Sequence, residues 1–267
     1  MERIGLIAGN KKFPLIFADA ARKKNVSVVA VAIKKDTSRA LTKLVDKIYW
    51  LHLGEFEKLF EIFKKEGVSK VVMAGQISPY RLFSREVRLN PELQNILQSI
   101  KDQRADSIFG AIAQRLSAHG LTLLSSTTFI EEYLPGKGAL TSVAMDAKAW
   151  EDVSFGLALA KEIAALDIGQ TVAVKHKAIV AVEALEGTDN LIRRAGKIAR
   201  AGVTIVKVSK PKQDERFDIP VVGLTTVKNL IRARAACLAV EAGKTLFIDK
   251  EASIALAQKK KIAIVAV

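Results

Sequence analysis

The stretch GLIAGNKKFPLIFADAARKKNVSVVAVAI, residues 5–33, decides the fold. It opens on a short apolar run that ends at Gly9. Residues 13–24 then carry apolar side chains at helical spacing. Residues 26–33 form a valine-rich, nearly unbroken apolar run, the signature of a strand buried on both faces. Strand, helix and strand in this order, with turns this short, read as the first unit of a parallel α/β sheet.

The pattern repeats downstream. Residues 48–53 alternate, Gly54 opens a helix with Phe56, Leu59, Phe60 and Phe63 on one face, and residues 68–74 form a strand that Gly75 stops. Residues 108–118 read as helix and 121–124 as strand. The run Pro135-Gly136-Lys137-Gly138 breaks the series and reads as a hinge. A helix is expected over 150–166, then strands over 171–174, 178–184, 203–208, 245–248 and 261–267, with helices near 189–200, 227–242 and 252–258. The prediction is α/β: two α/β domains joined by a short linker, each with a mostly parallel sheet. Residues 1–137 form a Rossmann-like N-terminal domain, and residues 142–267 a C-terminal domain carrying the acidic clusters.

Composition narrows the function classes. At 267 residues either one large or two ordinary domains can bury a core. No apolar run approaches the ~20 residues of a membrane span, and the start shows no charged-then-apolar signal pattern. One cysteine, Cys237, within a helical pattern, makes no internal disulfide and suits a reducing cytoplasm. Three histidines without metal spacing and the lack of a G-x-S-x-G elbow weigh against zinc and serine-triad chemistry. The formal charge is +14, spread over many short basic runs. It suits an anionic substrate, an anionic membrane face or a solubility surface. Aromatic residues at 6% do not interleave with the basic ones, so nucleic acid is not the expected partner.

The turns carry the chemistry. GLIAGN places Gly9 and Asn10 at the end of the first strand, just before a helix whose free N–H groups suit a phosphate. AGQISP, residues 74–79, ends a later strand in the same way with Gly75 and Gln76. In a parallel sheet both loops lie at the carboxyl edge, where ligands collect. The spacing is not G-x-G-x-x-G, so no dinucleotide fingerprint is present.

Acids gather at two places. In AVEALEGTDNLIRR, residues 181–194, Glu183 sits inside an apolar strand, where an unpaired carboxylate is costly to bury. Glu186, Gly187, Thr188 and Asp189 then turn the chain into a helix, with Thr188 or Asp189 as its cap. In PKQDERFDIP, residues 211–220, Asp214, Glu215 and Asp218 surround Arg216 between two prolines. Both clusters follow strands of one expected domain, so their carboxylates can face one pocket. Oxygen ligands of this kind suit Mg²⁺. Lys212 and Arg216 can meet phosphate oxygens. Acids beside cations fit phosphoryl or pyrophosphate chemistry.

Taken together, GLIAGN, FPLIFADAAR, AGQISP, LDIGQTVAVK, AVEALEGTDNLIRR and KVSKPKQDERFDIPVVGLTT resemble the LpxI family over nearly the whole chain. Its members are UDP-2,3-diacylglucosamine pyrophosphatases of lipid A biosynthesis. The resemblance implies Mg²⁺-assisted hydrolysis of UDP-2,3-diacylglucosamine to 2,3-diacylglucosamine 1-phosphate and UMP, with the substrate held between two α/β domains. Mn²⁺ is the expected substitute ion. The family's essential aspartate, closing a Q-x-x-R-x-D pattern, falls on Asp218. Asp214 and Arg216 are its expected catalytic companions, and Asp214, Glu183 and Asp189 the further metal ligands. Gly9, Asn10, Gly75, Gln76, Lys212, Glu186, Gly187 and Thr188 are expected to bind substrate. The loop Gly9-Asn10-Lys11 departs from members that carry a further glycine. A cytoplasmic enzyme, in transient contact with the anionic surface of the inner membrane and able to form a homodimer, completes the expectation. A non-catalytic nucleotide-binding regulator on the same scaffold is the alternative.

Overall fold

The computed structural model describes residues 2–75, 90–100, 105–211 and 213–267. By contact the chain divides into two units. One comprises Met1–Glu131 together with Asp214–Asp218, the other Glu132–Gln213 together with Ile219–Val267.

The first unit contains β1 (Arg3–Ala8), α1 (Phe13–Lys23), β2 (Ser27–Ile33), β3 (Lys47–Leu51), α2 (Lys58–Lys65), β4 (Lys70–Ala74), α3 (Pro91–Ser99), α4 (Ala105–Ala118) and β5 (Thr122–Leu123). Its five strands run in the order β3-β2-β1-β4-β5, all parallel. The apolar runs become strands because each is buried on both faces: Val28 to Ile33 are all at most 4% exposed. Helix α1 starts at Phe13-Pro14, where the missing proline N–H costs nothing, and ends on Arg22 and Lys23, which suit the negative end of its dipole. One core joins Ile7, Val29 and Val31 of the sheet to Leu59 and Phe63 of α2 and Leu116 of α4.

The second unit holds β6 (Gly138–Ala139), α5 (Ala147–Ala165), β7 (Thr171–Lys175), β8 (Ala178–Val182), α6 (Thr188–Ala199), β9 (Thr204–Lys207), β10 (Val221–Val222), α7 (Leu224–Arg232), β11 (Cys237–Val240), β12 (Leu246–Phe247), α8 (Lys250–Lys259) and β13 (Ala263–Ala266). Six strands form a mixed sheet in the order β6-β13-β11-β9-β7-β8, and β10 pairs with β12 separately. Strands β9, β11 and β13 are mutually parallel, while β6 and β7 run against their neighbours. Alternate residues of β11 feed two cores. Leu238 and Val240 pack with Leu191, Ile192, Val227 and Leu230 of α6 and α7, and Cys237 and Ala239 with Val153 and Ala160 of α5. Helix α5 lies close on the sheet through Gly156, where an added Cβ would stand 2.7 Å from Val206 Cγ2.

Four expectations change, the first being that the second unit's main sheet is mixed rather than mostly parallel, because β6 and β7 run antiparallel to their neighbours. The helix expected over 227–242 ends at Arg232, and β11 follows. Arg234 takes φ +49 and Ala235 N donates to Leu230 O at 2.9 Å, a helix stop made without glycine or proline. Cys237 is therefore a strand residue, and burial pushes its thiol up to about 12, which leaves it inert at neutral pH. Next, the Pro135–Gly138 run is not a free hinge. Pro135 O accepts from Gly243 N at 2.9 Å, and Gly138–Ala139 pairs with β13. The division falls at Glu131/Glu132 instead. Last, Asp214–Asp218 groups with the first unit rather than with the C-terminal domain. Phe217 is the physical reason: it packs on the first unit's core and stacks on Phe109 at 5.6 Å.

Candidate active site

In the first unit, β1 lies between β2 and β4, so the strand order reverses beside it. That is the point where parallel sheets open a crevice at their carboxyl edge. Gly9 and Gly75 follow directly on β1 and β4. Gly9 N donates to Ala74 O at 2.8 Å. Gly75 has φ +86, and a Cβ on it would stand 2.5 Å from Asn10 O. No other residue fits there, because both the conformation and the space exclude a side chain. Lys11 takes φ +64, a conformation glycine adopts freely and lysine holds at a cost of about 1 kcal/mol. The start of α1 follows with no side-chain cap and no acid in its first turn, leaving N–H groups for an anion. Gln76 and Lys212 lie outside the described residues.

The 214–218 turn is attached to this same edge. Asp218 N donates to Asp214 O at 2.9 Å, closing one helical turn. Ser126, just beyond β5, holds it: Ser126 N donates to Glu215 O at 2.9 Å, and Ser126 Oγ lies 2.8 Å from both Arg216 O and Met73 O. One hydroxyl thus ties the turn to β4. Ser126 is 1% exposed, and the sequence reading missed it. Its signal was the SSTT run straight after a strand, which reads as an ordinary polar loop. Arg216 grips Asp214 as a fork, with Nε to Oδ1 at 2.9 Å and Nη2 to Oδ2 at 2.6 Å. Hydrogen bonding from Arg216 holds the Asp214 carboxyl below its ordinary range. Asp214 and Arg216 are therefore each other's partners, and Asp218 is half-buried beside them.

The second unit has its own polar centre. Strands β8 and β9 both run against β7, so they point the same way. The carboxyl end of β8 leads through Glu183 to the start of α6, and the carboxyl end of β9 is Lys207. Both side chains are buried, at 8% and 6% exposure. They meet through Thr188: its hydroxyl donates to Glu183 Oε1 at 2.9 Å and accepts from Lys207 Nζ at 2.7 Å. Thr171 Oγ1 stands 3.3 Å from Thr188 Oγ1. Gly187 caps α6 at φ +81, and Glu186, on the turn before it, bonds the Arg194 guanidinium. Gly169 lets its loop press on the strand, since a Cβ there would meet Glu183 O at 2.1 Å. Lys207 and Gly169 were also missed. A lysine closing the apolar run of β9 was the visible sign of the first.

The structure thus groups Gly9, Asn10, Gly75, Asp214, Arg216 and Asp218 in one unit, and Glu183, Glu186, Gly187, Thr188 and Asp189 in the other. Among the described residues no three or more His, Cys, Asp or Glu side chains form a group that could hold a metal. Asp214 is taken up by Arg216, and Glu183 shares its surroundings with the Lys207 ammonium. Mg²⁺ keeps most of its water and needs only one or two carboxylates beside phosphate oxygens, a donor chemistry that the Asp218 carboxylate fits.

Comparison with known proteins adds the following. Residues 3–133 match the LpxI N-terminal domain, and residues 136–265 the LpxI C-terminal domain. The UDP-2,3-diacylglucosamine pyrophosphatase LpxI of Caulobacter vibrioides is 27% identical over 267 residues, covering 96% of this chain and 94% of that protein. Among solved structures, the biotin carboxylase domain of a thermophilic 2-oxoglutarate carboxylase aligns at 12% identity and TM-score 0.28, over 65% of this chain and 35% of that one. The biotin carboxylase subunit of pyruvate carboxylase aligns at 12% identity and TM-score 0.29, over 75% of this chain and 42% of that one. Overlaps this partial do not define a shared fold.

Proposed function

The chain belongs to the LpxI family, and from that premise we propose that it hydrolyses the pyrophosphate bond of UDP-2,3-diacylglucosamine, giving 2,3-diacylglucosamine 1-phosphate and UMP in lipid A biosynthesis. The observation that carries the reading at the level of residues is the anchoring of the 214–218 turn beside the glycine loops of β1 and β4. It sets a carboxylate at an edge built to receive phosphate.

Each side chain then has a task. Gly9, Gly75 and the start of α1 offer backbone to a phosphate group. Asp218 holds or orients the attacking water. Asp214 fixes Arg216, and the guanidinium keeps N–H groups free of that fork for a phosphate oxygen. Asp218 is also the side chain that would hold Mg²⁺ with the substrate's own oxygens. When bound, the ion would neutralise charge on the pyrophosphate. Chelation tests this. EDTA is expected to abolish turnover, and Mg²⁺ or Mn²⁺ to restore it. Full turnover in a metal-stripped sample rejects the ion's role.

The same proposal places the enzyme in the cytoplasm, at the inner membrane, where a diacylated substrate resides. Among the described residues no helix is long and apolar enough to cross a membrane. The charge of +14 supports reversible attraction to anionic lipid, worth about 1 kcal/mol per basic residue near the surface. Sedimentation is expected to show binding to anionic vesicles at low salt, loss of it at high salt, and little binding to neutral vesicles. Equal binding to both vesicle types contradicts this.

A further inference from the structure

We propose that the buried charges at the start of α6 form a pocket for hydroxyl groups of a sugar ring. Glu183 Oε1 is bound by Thr188, but Glu183 Oε2 is buried and has no hydrogen-bond partner among the described residues. The same holds for Asp189 Oδ1 and Gln170 Oε1. Asp189 follows Thr188, whose hydroxyl donates to Glu183 Oε1, so the Glu183 and Asp189 acceptors belong to one turn. Buried acceptors are seldom left unmet, so Glu183 Oε2 marks a place for a donor.

The neighbourhood says which donor. Lys207 Nζ uses one of its three N–H groups on Thr188 and makes no ion pair among the described residues. Its ammonium, one hydroxyl away from Glu183, disfavours a divalent cation. The absence of a group of three ligating side chains among the described residues agrees with that. An anion is opposed by the carboxylates of Glu183 and Asp189. A neutral group that both gives and accepts hydrogen bonds satisfies all of them: its O–H reaches a carboxylate while its oxygen accepts from Lys207. Adjacent hydroxyls on a ring do this in pairs. The close seat of Gly169 on Glu183 holds the wall in place before any ligand arrives.

This deepens the hydrolase reading and rests on it for the ligand's source, since the substrate proposed there carries both a ribose and a glucosamine. Calorimetric titration separates the two. Wild type and Glu183→Gln are titrated with UMP and 2′,3′-dideoxy-UMP, and with glucosamine 1-phosphate and its 4,6-dideoxy analogue, with thermal unfolding recorded beside them. In one of the two pairs, Glu183→Gln is expected to weaken the hydroxylated ligand roughly 10- to 100-fold and leave its deoxy analogue unchanged. The responding pair identifies the sugar. If Glu183→Gln does not fold, half-buried Asp189→Asn carries the same comparison. Equal weakening of hydroxylated and deoxy ligands, no weakening in either pair, or no binding of either hydroxylated ligand to wild type overturns the pocket. Turnover of UDP-2,3-diacylglucosamine by wild type judges the hydrolase reading separately. Turnover without hydroxyl selectivity overturns the pocket alone, and hydroxyl selectivity without turnover overturns the reading alone.

Discussion

Replacement of Asp218 by asparagine is expected to lower kcat by about 10²-fold or more while leaving the protein folded. The substitution keeps size and shape and removes only the charge. The bond that closes the turn runs from Asp218 N to Asp214 O, through backbone that the change does not touch. Ser126 and Phe217 continue to hold the segment. A side chain that stabilises charge mainly in the transition state lowers kcat and kcat/KM together and leaves substrate affinity nearly intact. Steady-state kinetics with thermal unfolding checks this. Unchanged turnover removes Asp218 from the mechanism, and lost turnover with a collapsed Tm makes it structural. Asp214→Asn should behave differently, because it breaks the fork on Arg216 and so loosens the turn.

Gly169→Ala is expected to destabilise the protein by about 3 kcal/mol, a fall in Tm of roughly 5–10 °C. The added Cβ would stand 2.1 Å from Glu183 O and 2.7 Å from Glu183 C, both backbone atoms of the sheet's edge region. No rotamer relieves a clash with backbone, so the loop or the strand must move. Gly110→Ala is the control of opposite sign. Gly110 lies within α4, and a Cβ there meets nothing within 4 Å. Alanine is worth up to about 1 kcal/mol more than glycine inside a helix. Thermal or urea unfolding of both variants measures the difference. A neutral Gly169→Ala contradicts the close approach on which the Glu183 geometry rests.

These residues mark how far the sequence could be read. Strands β1, β2 and β4 were legible because burial on both faces leaves unbroken apolar runs, and Gly9 and Gly75 were legible because turns at strand ends demand glycine. Strand β11 was not. AACLAV continues the apolar spacing of α7, and the stop rests on Arg234 adopting a left-handed backbone, which no residue type announces. Asp218 was found through family likeness, yet its attachment to the first unit was hidden. That depends on where the Phe217 ring and the Ser126 hydroxyl find partners, which are tertiary facts with no local pattern. Glu183 was visible as a charge inside an apolar strand. Lys207 and Thr188, which define its surroundings, become its neighbours only when β8 and β9 align on either side of β7.

The most direct test of the hydrolase account is ³¹P NMR of UDP-2,3-diacylglucosamine incubated with the purified wild-type protein and Mg²⁺. The account predicts loss of the paired pyrophosphate resonances and the growth of two monophosphate resonances, those of UMP and 2,3-diacylglucosamine 1-phosphate, in equal amounts. A pyrophosphate signal that persists unchanged, or products that retain a diphosphate such as UDP, would contradict it.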